Sequence, residues 1–320
     1  MKARVLLENI QVSDLFESLS SAQKRLVLHV FSETLHALTS SFLKRGFTWL
    51  LPVVTSKATD PLWPDPGASI EARPELELYG ERARLTQSMI LHKQLLVAAG
   101  YEKVFVLSPN VRVERRDRAK TGRHAYEFTQ LDFEVKGAKR EDIFRLVEGV
   151  LAEVVEHLEE CCEKHLSELG AELAKLRAPF KVYRMKELEE KYGPDWETLA
   201  SIESSEPFWV TDIPREFYDY EDLERGEWRN YDLILPEGYG EVLSGAEREW
   251  QYDKIAYKMR RDGVSMDSYR YYLELAKRGV LVPSAGAGIG VERLVLWLTK
   301  RSHIAEVQPF PRIPGIVMPL

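Results

Sequence analysis

At 320 residues, of which 44% are hydrophobic and 30% charged, the chain is long enough to bury a full core and is expected to fold as a soluble globular protein. It contains no run of about 18 apolar residues, and its opening residues, MKARVLLENIQVSDLF, lack a signal-peptide core, so a cytoplasmic protein is expected. A formal net charge of −7 argues against a broad basic face for nucleic acid.

Leu26, Val27, Val30, Phe31, Leu38 and Phe42 stand at core spacing and predict a helix over 21–45, with Gly46 as its stop. The apolar run GFTWLLPVV (46–54) predicts a strand over 50–54 that carries Pro52. Residues 60–69, DPLWPDPGAS, hold three prolines and are expected to form a lid or substrate loop rather than a central strand. Strands are predicted over 76–86, 103–107, 110–115 and 126–136, with a helix over 88–99. A Glu- and Lys-rich helical pattern over 139–169 carries Cys161 and Cys162. Neighbouring helix positions face apart and no other cysteine exists, so neither a disulfide framework nor a zinc site is expected. His29, His36, His157 and His165 fall on helices and are read as structural. Strands over 207–213, 230–235, 239–244 and 282–286, and helices over 247–261, 267–278 and 291–300, complete the pattern. Strands in runs with helices between them predict an α+β domain, an antiparallel sheet flanked by helices. No Walker-type loop or dinucleotide fingerprint is present.

The richest stretch is 112–135, RVERRDRAKTGRHAYEFTQLDFEV. In an extended strand Phe128, Gln130, Asp132 and Glu134 share one face, while Thr129, Leu131, Phe133 and Val135 share the other. The second face suits a core; the first is too polar to be buried unless it binds something. Arg112 and Glu114 share a face by the same parity. Residues 112–123 hold six basic residues (Arg112, Arg115, Arg116, Arg118, Lys120, Arg123) against Glu114 and Asp117, which suits a polyanionic ligand such as a nucleotide, although a solvated edge hairpin would show the same pattern. Further on, GYGEVLSGAEREW (238–250) carries Glu241, Ser244 and Arg248. An odd spacing puts Glu241 and Ser244 on opposite faces of a straight strand, so bringing both to one face takes a bulge or turn, expected at Ser244-Gly245. GAGIGVERLVLWL (286–298) reads as a Gly-rich strand end feeding a helix with Arg293 in its first turn.

Arg112-x-Glu114, Arg123-His124, Glu127-Phe128 and Leu131-Asp132-x-Glu134 resemble motif 2 of the class II aminoacyl-tRNA synthetases, in the aspartyl/asparaginyl branch. Residues 286–298 resemble motif 3, and 46–54, with Pro52, resemble motif 1. The resemblance implies a single catalytic domain over 1–320 with 1–20 as an N-terminal extension and no room for an anticodon-binding domain. It implies a homodimer built around Pro52, and ATP and Mg²⁺ as cofactors. Arg112, Glu114, Arg123, His124, Phe128, Glu241, Gly290 and Arg293 would bind ATP, with Arg112 at the α-phosphate, Phe128 stacked on adenine, and Arg293 with Arg123 and His124 bending the outer phosphates. Glu241 and Ser244 would hold the metal. Ser88, Lys93, Gln130, Asp132 and Arg248 would bind aspartate, Lys93 being the lysine that aspartate-handling members keep. Ile90 departs from the usual Gln, leaving Asp132 and Gln130 as candidates for the α-ammonium.

The runs TDPLWPDP, RLTQSMILHKQLL, GRHAYEFTQLDFEV, WRNYDLILPEGYGEV, PSAGAGIGVERL and HIAEVQPFPRIPGI further resemble archaeal asparagine synthetases descended from these enzymes. That resemblance implies ATP, aspartate and ammonia giving asparagine, AMP and diphosphate through a β-aspartyl adenylate. Arg112 and Arg293 would be catalytic, with Glu249, or Glu247, orienting ammonia, and no tRNA partner is expected. Lys93 and Arg248 would hold the β-carboxylate in the synthetase mode, or the α-carboxylate if aspartate lies the other way round. The alternatives are a shortened enzyme that charges tRNA or another acceptor, and a non-catalytic RNA-binding paralogue; the latter is expected to have lost Arg112, Glu241 or Arg293, all of which are present.

Overall fold

In the computed structural model, which describes residues 12–62, 70–173 and 175–318, helices α1 (Val12–Ser20) and α2 (Ala22–Lys44) come first. Ser21 caps α2 by accepting the Lys24 N–H, and the helix ends just before Gly46, whose φ of +78° suits a left-handed exit. Short strands β1 (Thr48–Trp49), β2 (Thr55–Ser56), β3 (Ile70–Ala72), β4 (Glu75–Leu78) and β5 (Glu81–Leu85) precede α3 (Ile90–Ala98) and the long β6 (Lys103–Val111). Next come β7 (Val113–Glu114), β8 (Glu127–Lys136), α4 (Arg140–Cys161), α5 (Glu163–Leu169) and β9 (Lys181–Arg184). Helices α6 (Met185–Tyr192) and α7 (Trp196–Glu203) lead to β10 (Phe208–Thr211), β11 (Glu221–Asp222), β12 (Glu227–Trp228), β13 (Asn230–Leu235) and β14 (Gly240–Glu247). Helices α8 (Tyr252–Arg261) and α9 (Arg270–Lys277), strand β15 (Ser284–Gly290) and helix α10 (Val291–Leu298) close the list.

Eight strands form one sheet in the order β1-β6-β8-β15-β14-β13-β10-β9, antiparallel through the middle and parallel only at the two outer pairs. This is the expected α+β architecture. Leu131 and Phe133 of β8, Leu243 of β14, and Ala285, Ala287 and Ile289 of β15 turn to one face, where they meet Val30, Leu38 and Phe42 of α2, Val147 and Val154 of α4, and Val295 of α10. Phe133 and Phe42 are fully buried with ring centroids 5.1 Å apart, and truncating either ring would cost about 3–5 kcal/mol. The other sheet face carries the polar residues of β8.

Several boundaries differ from the sequence expectation for identifiable reasons. The strand expected over 50–54 is confined to Thr48–Trp49, and Leu51, Val53 and Val54 around Pro52 are exposed. The strand expected over 76–86 is the β4–β5 hairpin, turned by Tyr79 and Gly80, both at positive φ. Strand β6 runs through Pro109; β1 pairs only as far as Phe105, so the missing N–H falls where no ladder partner is required. The helix expected over 139–169 breaks at Cys162 (φ −121°, ψ 9°). Helices α6 and α7 and strand β9 were not expected. The proline-rich lid lies mostly outside the described residues, although Asp60, at its start, is buried. Among the described residues no helix is long and apolar enough to cross a membrane.

Candidate active site

The register of β15 against β8 explains the glycines of the C-terminal motif. Gly286 stands opposite Glu134, Gly288 opposite Asp132 and Gly290 opposite Gln130, while Ala285, Ala287 and Ile289 face the core. A Cβ on Gly286 would run into the Glu134 carboxylate, and one on Gly288 would press on Gln130 and Asp132. These two glycines therefore make room for the polar side chains of β8 rather than for a ligand directly. Gly290 lines the adjoining cavity.

Strand β14 carries the required bulge, at a different place from the one expected. Leu233 pairs with Leu243 and Ile234 pairs with Glu241, which leaves Val242 as the extra residue. Val242 and Leu243 both enter the core, and Glu241 and Ser244 then fall on the same face. The turn at Ser244-Gly245 is unnecessary, and the ladder runs straight through it.

A cavity of about 520 Å³ opens over this face, lined by Arg112, Glu114, Arg123, His124, Phe128, Gln130, Glu241, Gly290 and Arg293 together with Arg118, Glu197 and Glu292. Arg123 bonds Glu197, Arg293 lies 3.5 Å from Glu241 and donates to its carbonyl at 3.0 Å, and Arg118 lies 3.5 Å from Glu114. Arg112 is less closely neutralised. It donates twice to the Gln87 carbonyl, sits 5.3 Å from the centre of the Phe128 ring, and has Asp60 only at 3.9 Å. Burial and the guanidiniums of Arg293, Arg123, Arg118 and Arg112 push His124 down to about 2, so its ring is neutral. Because a guanidinium only donates, His124 Nε2 accepts from Arg118 at 3.0 Å; Nδ1 then carries the proton and donates to Thr121 Oγ1 at 2.6 Å. His124 thus orients Arg118 and does not itself supply charge.

Hard oxygen donors meet beside the arginines. Burial raises the Glu241 carboxyl, but Arg293, Arg215, Arg123 and Arg112 outweigh it and hold the group below its ordinary range, hence ionised. Ser244 accepts from Arg215, which also pairs with Asp232, the residue opposite Ser244 on β13. Asp232 Oδ1 is buried with no hydrogen-bond partner, and burial lifts this carboxyl to about 7 against the pull of Arg215. An ionised carboxylate, a hydroxyl and an unpartnered carboxylate oxygen fit the needs of a Mg²⁺ ion that also takes phosphate oxygens.

The residues expected to hold aspartate form a second, closed group beneath the cavity. Lys93 donates to Asp132 Oδ1 and the Ala287 carbonyl, both at 2.9 Å, and lies 3.8 Å from Glu134. Arg248 bonds Glu134 at 3.1 Å, Asp219 at 2.8 Å and the Gly286 carbonyl at 3.0 Å. Both cations are 3% exposed. Of the five expected residues only Gln130 reaches the cavity wall; Ser88, Lys93, Asp132 and Arg248 do not, and Ser88 accepts from the Ile90 N–H. Ile90 belongs to a separate apolar cluster with Leu91 and Phe217.

Glu249 is not brought to the site. It accepts from the N–H groups of Trp250 and Gln251 at the start of α8 and lies 3.8 Å from the buried Lys258. Adjacent residues leaving a strand project oppositely, so Arg248 and Glu249 cannot both face one pocket. Glu247 is also elsewhere, engaged with Lys139, Arg140 and Arg229.

Sequence reasoning missed Glu197, which stands on the unexpected helix α7 and bonds both Arg123 and the Glu241 N–H. It also missed Arg215, Asp232, Asp60 and Gln87. Gln87 is 1% exposed, and neither its amide oxygen nor its amide nitrogen has a partner. Gln87 adjoins Ser88 in the run RLTQSMILHKQLL, but no spacing distinguishes it from its neighbours.

Comparison with known proteins is consistent with this geometry. Residues 8–314 match the family model described as tRNA synthetases class II (D, K and N). The chain is 35% identical over 252 residues to an aspartate--tRNA(Asp/Asn) ligase of Methanopyrus kandleri, covering 73% of this chain and 57% of that protein. It is 32% identical over 265 residues to an asparagine--tRNA ligase of Pyrococcus abyssi, covering 77% and 60% respectively. The chain thus spans less than two thirds of the length of these relatives. Its fold superposes on asparaginyl-tRNA synthetase of Pyrococcus horikoshii complexed with asparaginyl-adenylate, with a TM-score of 0.84 and 28% identity over 97% of this chain and 74% of that one. These relatives are tRNA ligases, which overturns the expectation that tRNA has no part; net charge sums the whole chain and does not report on a local basic segment such as 112–123. The matched family model, the relatives and the shared fold together show that the chain belongs to the class II tRNA synthetases of the D, K and N group.

Proposed function

We propose that the chain adenylates aspartate with ATP and Mg²⁺ and passes the activated acyl group to an acceptor, the 3′ end of a tRNA being the acceptor its relatives favour. The observation that carries this reading is the convergence of Arg112, Arg293 and Glu241 in one cavity floored by Phe128. Joining a carboxylate to the α-phosphate brings two anions together, and preorganised guanidiniums offset that repulsion most where water is excluded. Arg112 serves the α-phosphate, Phe128 stacks on the base, and Arg293, Arg123 and Arg118 take the outer phosphates. Glu241, Ser244 and Asp232 hold Mg²⁺, which neutralises phosphate charge when bound. Lys93 and Arg248 act on aspartate by fixing Asp132, Glu134 and Asp219, and beneath the cavity the Asp132 Oδ2 and the Gln87 amide are buried without partners.

A second reading, with ammonia as acceptor and asparagine as product, is favoured by one feature. Glu216, Asp60 and Asp219 are all buried, and burial, then the charges of Asp60 and Asp219, raise the Glu216 carboxyl well above the ordinary range against the pull of Arg215. A carboxyl held protonated in this way gains from a nearby cation, and ammonium, in addition to the one aspartate brings, is such a cation. The test has two stages. Aspartate-dependent ATP–diphosphate exchange should exceed that with asparagine; no exchange with either would remove the adenylation reading. Product analysis with tRNA, with ammonium and with glutamine then separates the acceptors: aspartyl-tRNA supports the first, and asparagine formed only with ammonium supports the second.

A further inference from the structure

Four of the seven histidines and both cysteines gather on the helical layer, on the far side of the sheet from the cavity. The cause is the break at Cys162. Were α4 and α5 one helix, Cys161 and Cys162 would point about 100° apart, but the irregular turn brings their Sγ atoms to 3.4 Å. This removes the premise on which a metal site was discounted. Around the two thiols, His29 and Glu33 come from α2, His157 from α4 and His165 from α5.

The ligand atoms of His29, Cys162 and His165 all lie within 4.8 Å of one another. The two imidazole rings converge, with centroids 4.3 Å apart and a 33° tilt. His165 Nδ1 is buried and has no hydrogen-bond partner. A structural histidine buried at a helix contact normally satisfies its ring nitrogens, so this atom is aimed at something other than the protein. Two nitrogens and a sulfur at this separation form three corners of a tetrahedron; with zinc the corners stand about 3.5 Å apart, so closing by roughly 1 Å completes them. The Cys161 thiol stands 3.4 Å from Cys162 Sγ, and its sulfur also lies within 4.8 Å of the ligand atoms of Glu33 and His157.

We infer that His29, Cys162 and His165, with Cys161 completing the set, bind a borderline-soft divalent cation of the zinc class and tie α2 to the α4–α5 junction. Soft sulfur with imidazole selects against Mg²⁺ and Ca²⁺, so this site is chemically distinct from the oxygen donors of the cavity. Glu33 accepts from His157 Nε2 at 2.8 Å and lies 3.8 Å from the Cys161 thiol, which places a carboxylate beside the bound charge.

The test uses the full chain freed of metal by chelation and dialysis. Zn²⁺ is titrated against a chromophoric chelator, and Co²⁺ is added separately to read its absorption spectrum. One equivalent of tight Zn²⁺ is expected, with a thiolate-to-cobalt charge-transfer band and the intense visible bands of a tetrahedral ion. The partly accessible double variant His29→Asn, His165→Gln should weaken Zn²⁺ binding by on the order of 100-fold or more, since even outer partners of metal ligands cost ~10–100-fold. Its far-UV circular dichroism and diphosphate exchange should match the parent, because the cavity lies across the sheet. Absence of a charge-transfer band in the parent protein would overturn the inference whatever the variants do. So would Zn²⁺ affinity that the double variant leaves unchanged.

Discussion

Glu134 anchors Arg248: one carboxylate accepts from the guanidinium Nε at 3.1 Å, takes the Ser284 hydroxyl at 2.8 Å, and stands 3.8 Å from the Lys93 ammonium. All of this happens at zero exposure for Glu134, above a glycine that leaves it room. Removing one partner of such a buried group leaves charge without compensation. Glu134→Ala is expected to destabilise the fold by about 3–5 kcal/mol, read as a lowered urea midpoint. A cost under about 1 kcal/mol would mean that Asp219 alone satisfies Arg248.

Arg112 and Arg293 reach the same cavity with different companions, and their loss should differ accordingly. Arg112 bonds a backbone carbonyl, whereas Arg293 is tied to Glu241. Arg112→Ala should lower aspartate-dependent diphosphate exchange on the order of 100-fold or more with little change in stability. Arg293→Ala should do the same and also free Glu241, weakening dependence on Mg²⁺ concentration. Equal exchange rates in parent and Arg112→Ala would separate this residue from the reacting phosphate.

Lys93 offers a test of the amino-acid side. Lys93→Leu keeps bulk but strands Asp132 and the Ala287 carbonyl, so aspartate should saturate exchange only at a much higher concentration, at least about 10-fold. An unchanged KM for aspartate would take Lys93 out of substrate recognition, and a changed melting temperature with unchanged KM would assign it to the fold alone.

The polar face of β8 was legible because a strand alternates strictly: Gln130, Asp132 and Glu134 could be assigned to one side without knowing what lay opposite. The bulge was required by parity between Glu241 and Ser244, yet its position was not, since Val242 and Leu243 are both apolar and either could have been the extra residue. Lys93 and Arg248 were expected to hold a carboxylate of aspartate, but the carboxylates they meet are the protein's own, Asp132, Glu134 and Asp219. Sequence shows which charges exist and not which of them are already spent on each other. Glu197 was out of reach for another reason. Helix α7 is short, its buried residues are Ala200 and Ser201, and its larger apolar residues Leu199 and Ile202 are exposed, so its pattern does not announce a buried face. The break at Cys162 has no proline or glycine to mark it.

Glu292 sets a pH dependence that can be isolated. Burial raises its carboxyl from the ordinary 4.5 to about 7, although it accepts the Thr129 N–H at 3.0 Å. Between these values the folded chain holds a proton that the unfolded chain has released. The associated stability is therefore fully present below about pH 4.5 and is lost as pH rises through 7, by at most about 3 kcal/mol. Glu292→Gln keeps an acceptor for Thr129 and removes the titration. The difference in urea midpoint between parent and variant should shift in the variant's favour from about pH 5 to about pH 8. A difference that stays flat across that range would place the Glu292 carboxyl in its ordinary range.

Leu51 is 90% exposed, and Trp49, Val53 and Val54 on either side of Pro52 are exposed with it. An apolar patch beside a strand with an open edge is a surface that a second copy can cover. If the chain pairs through this run, Leu51→Asp should place a desolvated charge at the contact and convert a dimer to a monomer, halving the mass read by light scattering. Diphosphate exchange at high protein concentration should survive if the cavity is complete within one copy, and should fall with the dimer if pairing holds β1 and the neighbouring β6 in register for Arg112. A parent protein that runs as a monomer at every concentration would leave these residues without a partner of this kind and end the dimer reading.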